Sequence, residues 1–301
     1  MKIFIAGGTG FVGSYLVAEL LNRGHNVRLL VRNTSRFPKS EGVETVSGDL
    51  LHPESIAGKT ADCDAVINLV GIIREFPARG ITYERFHFEA VKNLAYEAER
   101  SGVSRWVQMS ANGARMNGVS NYQSSKARGE EFLMSTRLSL TIFRPSLIFG
   151  KPPAGATEFC TQMLGVLKSS PVAVLFGNGR YEMQPVHVTD VARVFSLAVE
   201  NGGFGENIYH LGGRDRFNYR TLLDMICDGA GINRRIKLPV PYGLVRPVVS
   251  LLGRFSHFPA TVDQTDMLVE GNVVPETKYI KSFGIEPLRF SRENISYLKG
   301  E

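Results

Sequence analysis

The chain is expected to be an α/β protein, a Rossmann-type doubly wound parallel sheet with a smaller C-terminal α+β substrate domain. Three observations predict this. Short apolar runs alternate with amphipathic segments through the first 150 residues. Several of the runs are near-continuous in Val, Ile, Leu and Phe, as suits strands covered on both faces. A glycine-rich turn follows the first run directly. Alternation of strand and helix implies right-handed crossovers and therefore parallel pairing.

Taken in order, the expected strands are Lys2–Ala6, Val27–Val31, Glu44–Ser47, Ala65–Val70, Trp106–Met109 and Leu140–Phe143. Between them, Leu16, Val17, Leu20 and Leu21 share a helical face with Gly24 as the stop. Phe88, Val91, Leu94, Ala95 and Ala98 repeat that pattern up to Gly102. Beyond Gly150 the segment Lys151–Ala156 is rich in Pro and Gly and reads as a loop. Val186–Val188 returns as a strand, Asp190–Val199 as a helix, Asn207–Leu211 as a strand and Asn218–Gly229 as a helix. Residues 1–150 and 182–213 are assigned to the dinucleotide-binding unit, and 151–181 and 214–301 to the smaller one.

Composition narrows the class. A chain of 301 residues, 43% hydrophobic and 21% charged, buries a sizeable core without disulfides or metal. Cys63, Cys160 and Cys227 lie far apart with no CxxC, which suits a reducing compartment and a cytoplasmic location. The net charge of +6 is scattered rather than run together, which argues against nucleic acid as a partner. The N-terminus MKIFIAGGTG lacks the apolar core of a signal peptide. The longest greasy stretch, Leu244 to Phe258, is broken by Arg246, Pro247 and Arg254, so no membrane span is expected. Six histidines show no metal-ligand spacing, and neither a GxSxG elbow nor a P-loop is present, so no metal is expected.

Chemistry begins at GGTGFVG. Gly7, Gly10 and Gly13 follow a strand and open a helix, which permits a tight turn, close backbone approach to a diphosphate and close packing of helix on strand. Gly7, Thr9, Gly10, Phe11, Val12 and Gly13 are the expected cradle, with bare N–H groups and the helix dipole facing the phosphates. The second strand ends at Arg32, nineteen residues after Gly13, where an acidic residue would meet a ribose hydroxyl. An arginine there suits a 2′-phosphate, with Arg36 and Lys39 adding field, so NADP(H) is preferred and NAD(H) is the alternative. Asp49, beside Leu50, either accepts from the adenine amino group or forms a turn.

These residues resemble the extended or atypical short-chain dehydrogenase/reductases, the NAD-dependent epimerase/dehydratase group, over nearly the whole chain. GGTGFVG and Gly48-Asp49-Leu50 resemble its nucleotide signatures. Asn68-Leu69-Val70-Gly71 resembles the strand-four signature, which implies that Leu69, Val70 and Gly71 border the nicotinamide ribose. Tyr122-Gln-Ser-Ser-Lys126 matches YxxxK, and Arg144-Pro145 with Phe149-Gly150 resembles the RPxxxxG turn, which brings Pro145 to the cofactor. Pro185–Ala192 and Tyr209–Gly213 resemble later landmarks. The NLVGI run, the SANGA run and the tail LPVPYGLVRPVVSLLGRF resemble the branch that contains the NADPH-binding accessory subunit of respiratory complex I. That branch implies a structural or assembly role with little turnover.

Tyr122 and Lys126 stand four apart and would share a helix face. A tyrosine with a pKa near 10 is a poor base, and a nearby ammonium favours its phenolate. Tyr122 would then exchange a proton with a hydroxyl or carbonyl substrate while hydride moves to or from nicotinamide, and Lys126 would also hold the ribose hydroxyls. The rival reading is an ordinary surface pair. The resemblance implies a carbonyl-holding Ser or Thr after strand five. Ser110 fills one register and Ala111 or Asn112 another, and capping of the strand end is the rival for Ser110. His87, where many relatives carry Asn, reads as a satisfied buried histidine. His187 and Asp190 read as strand and helix-start residues.

One tail segment invites a partner. On a helical wheel Leu244, Val245, Val248, Leu251, Leu252, Phe255 and Phe258 fill one arc, and Arg246, Ser250, Arg254 and His257 the other. The first reading is a helix that packs its apolar face on the substrate domain. The second is a membrane-surface or subunit contact through residues 244–258, peripheral to the inner membrane. A homo-oligomer is compatible with either. The expected function is an NAD(P)-dependent oxidoreductase or epimerase/dehydratase-like enzyme on a small hydroxyl or carbonyl substrate. The alternative is an NADPH-binding structural or assembly protein.

Overall fold

A computed structural model describes residues 1–33, 41–201, 207–253, 255, 258 and 260–300. In chain order the elements are β1 (Lys2–Ala6), α1 (Phe11–Asn22), β2 (Asn26–Val31), β3 (Val43–Ser47), α2 (Pro53–Ile56), β4 (Ala65–Asn68), α3 (Ala90–Arg100), β5 (Arg105–Met109), α4 (Asn121–Met134) and β6 (Ser139–Pro145). Then come β7 (Ile148–Phe149), α5 (Phe159–Ser169), β8 (Val172–Phe176), β9 (Glu182–Met183), β10 (Val186–His187), α6 (Val188–Asn201) and β11 (Ile208–Leu211). The remainder holds β12 (Phe217–Asn218), α7 (Tyr219–Ala230), β13 (Ile236–Val240), α8 (Tyr242–Leu252), α9 (Val262–Glu270) and α10 (Lys278–Phe283).

Seven strands form one parallel sheet in the order β11-β6-β5-β4-β1-β2-β3. The order reverses between β1 and β4, and ligands of open α/β sheets bind at that switch point, beyond the carboxyl ends of the strands. Period-two alternation divides β1 between two cores. Ile3 and Ile5 pack with Leu16 and Leu20 of α1 and Val191 and Phe195 of α6. Phe4 and Ala6 pack with Ile56, Leu94 and Leu133 on the opposite face. A third core unites Leu164 of α5, Leu175 of β8, Leu222 and Ile226 of α7 and Leu298.

Four expectations change. The fourth strand stops at Asn68 rather than Val70, because the Asn68 side chain takes the Val70 N–H at 3.1 Å and turns the chain. Phe88 lies not in a regular helix but in a π-turn over Glu84–Glu89 that precedes α3. Tyr279, Phe283 and Ile285, assigned above to the smaller unit, pack into the core of the sheet beside α6. The fourth change concerns the tail helix, which ends at Leu252 and does not bury its apolar arc. Leu244, Val248, Leu251 and Leu252 are exposed, and Val249 is the buried residue of α8. Polar anchoring holds it there: the Tyr242 hydroxyl bonds Asp266 of α9, and exposed Arg246 pairs with the same carboxylate at 3.1 Å, which fixes the helix with this arc outward. Arg254 and His257 lie outside the described residues, as do Arg36 and Lys39.

Candidate functional site

The glycine turn sits at the carboxyl end of β1. Gly7 has φ of +84°, which glycine adopts without a Cβ penalty. A Cβ on Gly13 would lie 2.4 Å from the Gly7 carbonyl oxygen, so only glycine lets α1 press against the turn. Gly10 is the N-cap and no side chain caps it, while Thr9 and Gly10 are exposed. Phe11 and Val12 follow in the first helical turn, leaving their N–H groups directed outward from the sheet edge. This surface fits a diphosphate: bare donors, no obstructing side chain and the positive end of a helix.

Around the cradle, Arg32 directly follows β2 and is exposed. Asp49 is half-buried, and its Oδ1 accepts the Leu51 N–H at 2.9 Å, a turn-forming bond that leaves Oδ2 to a ligand. Leu50 is buried beside it. Beyond β4 the chain runs through buried Leu69 and half-buried Val70 to exposed Gly71. A Cβ on Gly71 would stand 2.8 Å from Lys126 Nζ and 3.4 Å from His87 Nε2, so this backbone passes directly over both groups. Behind it, Trp106 Nε1 and Asn68 Nδ2 both donate to Gln108 Oε1, at 3.2 and 3.1 Å.

The α4 side chains complete the arrangement. The Ser120 side chain caps the helix by accepting the Gln123 N–H. Lys126 is buried, its Nζ 3.5 Å from the Met109 carbonyl, and burial brings its pKa down to about 8, opposed by the Glu130 carboxylate one turn on. Glu130 is itself buried and held by Arg144 Nε at 2.9 Å. Tyr122 is half-buried, and burial pushes its phenol up to about 12. The phenol therefore lies above its ordinary value rather than below it as expected, and desolvation is the cause.

Ser110 and Asn112, both near the end of β5, differ in their hydrogen bonding. Ser110 is buried and its hydroxyl has no hydrogen-bond partner among the described residues. Asn112 instead spends its amide on Asn272 Oδ1 at 2.9 Å and the Val273 carbonyl at 3.1 Å. An orphaned buried hydroxyl costs stability unless a partner completes it, and of the two side chains only that of Ser110 lacks one among the described residues. Pro145 is buried at the end of β6, in line with Leu211 of β11.

His87 is satisfied and buried, with more partners than its sequence position reveals. Its Nε2 accepts the Ile72 N–H at 3.1 Å, so Nδ1 carries the proton and donates at 2.8 Å to Ser125 Oγ. Ser125 Oγ donates in turn to the Tyr122 carbonyl at 2.8 Å. The imidazole stacks on Tyr83 and meets Tyr122 edge-on, each with centroids 5.3 Å apart. Burial and the Lys126 charge bring its pKa down to about 2, so it is neutral at every working pH. Tyr83 and Ser125 were given no role from the sequence, and Asn68 entered only as the first residue of the strand-four run. The i, i+3 offset of Ser125 from Tyr122 was the available signal for that residue.

His187 and Asp190 lie apart from this group. His187 Nδ1 accepts the Thr189 N–H at 3.2 Å, and buried Asp190 accepts the Leu288 N–H at 2.8 Å. No group of three metal-ligating side chains occurs among the described residues. A cleft of about 780 Å³, lined by Arg74, Phe76, Ser120, Asn121, Val249 and Asp263 among others, opens beside the first turn of α4. Ser120 and Ser124 present one side of that helix to the cleft, while Tyr122 and Lys126 share a different one.

Comparison with known proteins agrees with the strand order and the cradle. Residues 3–212 match the model of the NAD dependent epimerase/dehydratase family. The chain is 27% identical, over 98% of its length and 78% of the relative's, to the mitochondrial NADH-ubiquinone oxidoreductase 40 kDa subunit of Neurospora crassa. It is 29% identical to a 3-beta-hydroxysteroid dehydrogenase of Mycolicibacterium neoaurum, over 66% of this chain and 61% of that protein. Its fold superposes on Thermus thermophilus UDP-glucose 4-epimerase, solved in complex with NAD, with a TM-score of 0.75 at 20% identity, over 100% and 98% of the two chains. With its cradle at the switch point and the match spanning the whole sheet, the chain belongs to the NAD dependent epimerase/dehydratase family.

Proposed function

We propose that the protein binds NADP(H) and reduces a carbonyl on a small molecule, with Tyr122 as the proton donor. The observation that carries this reading is the Tyr122 phenol, held protonated by burial and bonded to nothing among the described residues, one helical turn from buried Lys126. Protonated at neutral pH, the phenol is a ready acid toward the alkoxide that hydride addition to a carbonyl would form. Bound nicotinamide would supply the hydride. Ser110 Oγ would donate to the substrate carbonyl, whose π-bond opens as its carbon gains the hydride. The oxygen then takes the Tyr122 proton. The Lys126 ammonium stabilises the phenolate left behind, until water returns a proton.

Gly7, Thr9, Gly10, Phe11, Val12 and Gly13 would hold the diphosphate, and Asp49 and Leu50 the adenine. Leu69, Val70, Gly71, Lys126 and Pro145 would border the nicotinamide ribose. Arg32, exposed at the end of β2, would pair with a 2′-phosphate. A second reading is favoured by the likeness, over 98% of the chain, to a respiratory-complex subunit: cofactor binding in a structural or assembly role.

Calorimetry and turnover separate these readings. Wild-type protein should bind NADPH more tightly than NADH, and Arg32→Ala should lose roughly 10- to 100-fold of that preference, the range for a charge-assisted pair. Tyr122→Phe should keep NADPH affinity and lose nearly all reduction of a panel of aliphatic and steroid ketones. Tighter binding of NADH by the wild type overturns the cofactor assignment. Absence of ketone reduction by wild-type protein, with NADPH still bound and respiratory membrane components co-purifying, selects the second reading.

A further inference from the structure

An irregular stretch of backbone holds His87 in place. The π-turn at Glu84–Glu89 departs from regular helix, an irregularity that recurs at functional sites. A Cβ on Gly129 would stand 2.4 Å from the His87 carbonyl oxygen, so only glycine lets this turn press against α4. Tyr83 stacks on one face of the imidazole and Tyr122 meets it edge-on. The residue is 1% exposed, and its ring plane is fixed.

Both ring nitrogens are committed, and to different parts of the site. Nε2 accepts the Ile72 N–H at 3.1 Å, directly after Gly71, on which a Cβ would lie 3.4 Å from the same nitrogen. Nδ1–H donates at 2.8 Å to Ser125 Oγ, which donates at 2.8 Å to the Tyr122 carbonyl. One arm fixes backbone that passes over Lys126, and the other fixes the first turn of α4. Only a neutral imidazole accepts and donates at once. An imidazolium would lose the Ile72 bond and face the Lys126 ammonium, and burial keeps the ring neutral. An apolar ring would fill the same space, so packing alone does not call for a side chain with two polar arms.

We propose that His87 is a positioning residue with two separable tasks. Through Nε2 it holds the Gly71–Ile72 backbone against the nicotinamide ribose, and through Nδ1 and Ser125 it sets Tyr122 toward the substrate oxygen. This rests on the cofactor path and the Tyr122 proton donor proposed above. The two tasks differ in reach along the side chain. An asparagine amide nitrogen takes the place of Nδ1, and a glutamine amide oxygen takes the place of Nε2. Each substitution therefore keeps one arm and removes the other.

Calorimetry with NADPH, paired with steady-state reduction of the best ketone of the panel, tests it. His87→Asn should weaken NADPH binding about tenfold, because the Ile72 N–H loses its acceptor, while kcat at saturating NADPH falls no more than about threefold. His87→Gln should do the opposite, with NADPH affinity within about threefold of wild type and kcat lower by about 100-fold, the cost of a misplaced donor. Ser125→Ala leaves the imidazole in place and should follow His87→Gln. A histidine that serves packing alone would lose affinity and kcat together in both substitutions, in step with the circular-dichroism melt, and that outcome overturns the inference. Unchanged affinity and kcat in both also overturn it. Wild-type protein that binds NADPH but reduces no ketone removes the carbonyl-reduction reading by itself. The Tyr122 arm is then read from the ring Cζ resonance, assigned with Tyr122→Phe. Displacement in His87→Gln and Ser125→Ala but not in His87→Asn supports the inference, and equal displacement or none contradicts it. Wild-type protein that binds no NADPH overturns this inference together with the cofactor assignment.

Discussion

Tyr122 and Lys126 share a face of α4, yet burial acts on them in opposite directions: it raises the phenol and lowers the ammonium to about 8. The charged Lys126 is therefore lost as pH rises through about 8, and with it the group that stabilises a phenolate. Glu130 opposes that loss from one turn away. Glu130→Gln should shift the alkaline limb of kcat for ketone reduction to lower pH, by up to about one unit. It should also cost about 3 kcal/mol of stability, because Arg144 loses its buried partner. A pH–rate profile beside urea unfolding checks both, and an unmoved limb would remove Glu130 from the argument. The Tyr/Lys pair was legible because spacing and strand context coincide. The direction of the Tyr122 shift was not, since desolvation is a property of the assembled fold. The choice between Ser110 and Asn112 depended on Asn272, a partner 160 residues away in the chain.

The strands are the most legible elements, because one residue of register error in a sheet covered on both faces would move every side chain between two cores. The expected ranges fall within two residues of those observed. The π-turn at Glu84–Glu89 was not legible, since Phe88, Val91, Leu94, Ala95 and Ala98 also fit an α-helical face. The outward face of α8 was missed because an apolar arc alone does not say which side a polar anchor will claim. At α6 a carboxylate joins two distant elements: Asp190 accepts the Leu288 N–H, and its pKa is raised to about 6, chiefly by burial. The folded value lies above the unfolded one, so the associated stability is complete below pH ~4 and is lost as pH rises through about 6. Asp190→Asn keeps an acceptor for Leu288 and removes the titration. Urea unfolding should show wild-type protein losing about 2–3 kcal/mol between pH ~4 and ~7 relative to this variant. Parallel curves for the two proteins would contradict the assignment.

Over the whole molecule, late segments close over early ones. Gln184 accepts the Val274 N–H at 3.1 Å and donates to the Gly213 carbonyl at 2.8 Å, which holds 272–274 against the ends of the sheet strands. The Tyr297 hydroxyl accepts the Gly150 N–H at 3.2 Å and donates to Glu158 at 3.1 Å, tying the turn after β7 to the cap of α5. Tyr297→Phe should lower unfolding free energy by about 1–3 kcal/mol, since it leaves two buried groups short of a partner. An unchanged urea midpoint would show that water replaces the hydroxyl at no cost. The return of Tyr279, Phe283 and Ile285 to the core of the sheet was not readable, because nothing local to that segment distinguishes one core from another. The buried indole of Trp106 has a practical corollary. It is the only tryptophan in the chain, and its N–H shares the Gln108 acceptor with Asn68, whose other end orders the backbone toward Gly71. The molecule thus carries a single indole wired to the path a dinucleotide would follow, so emission excited selectively at that indole can register occupancy without any label.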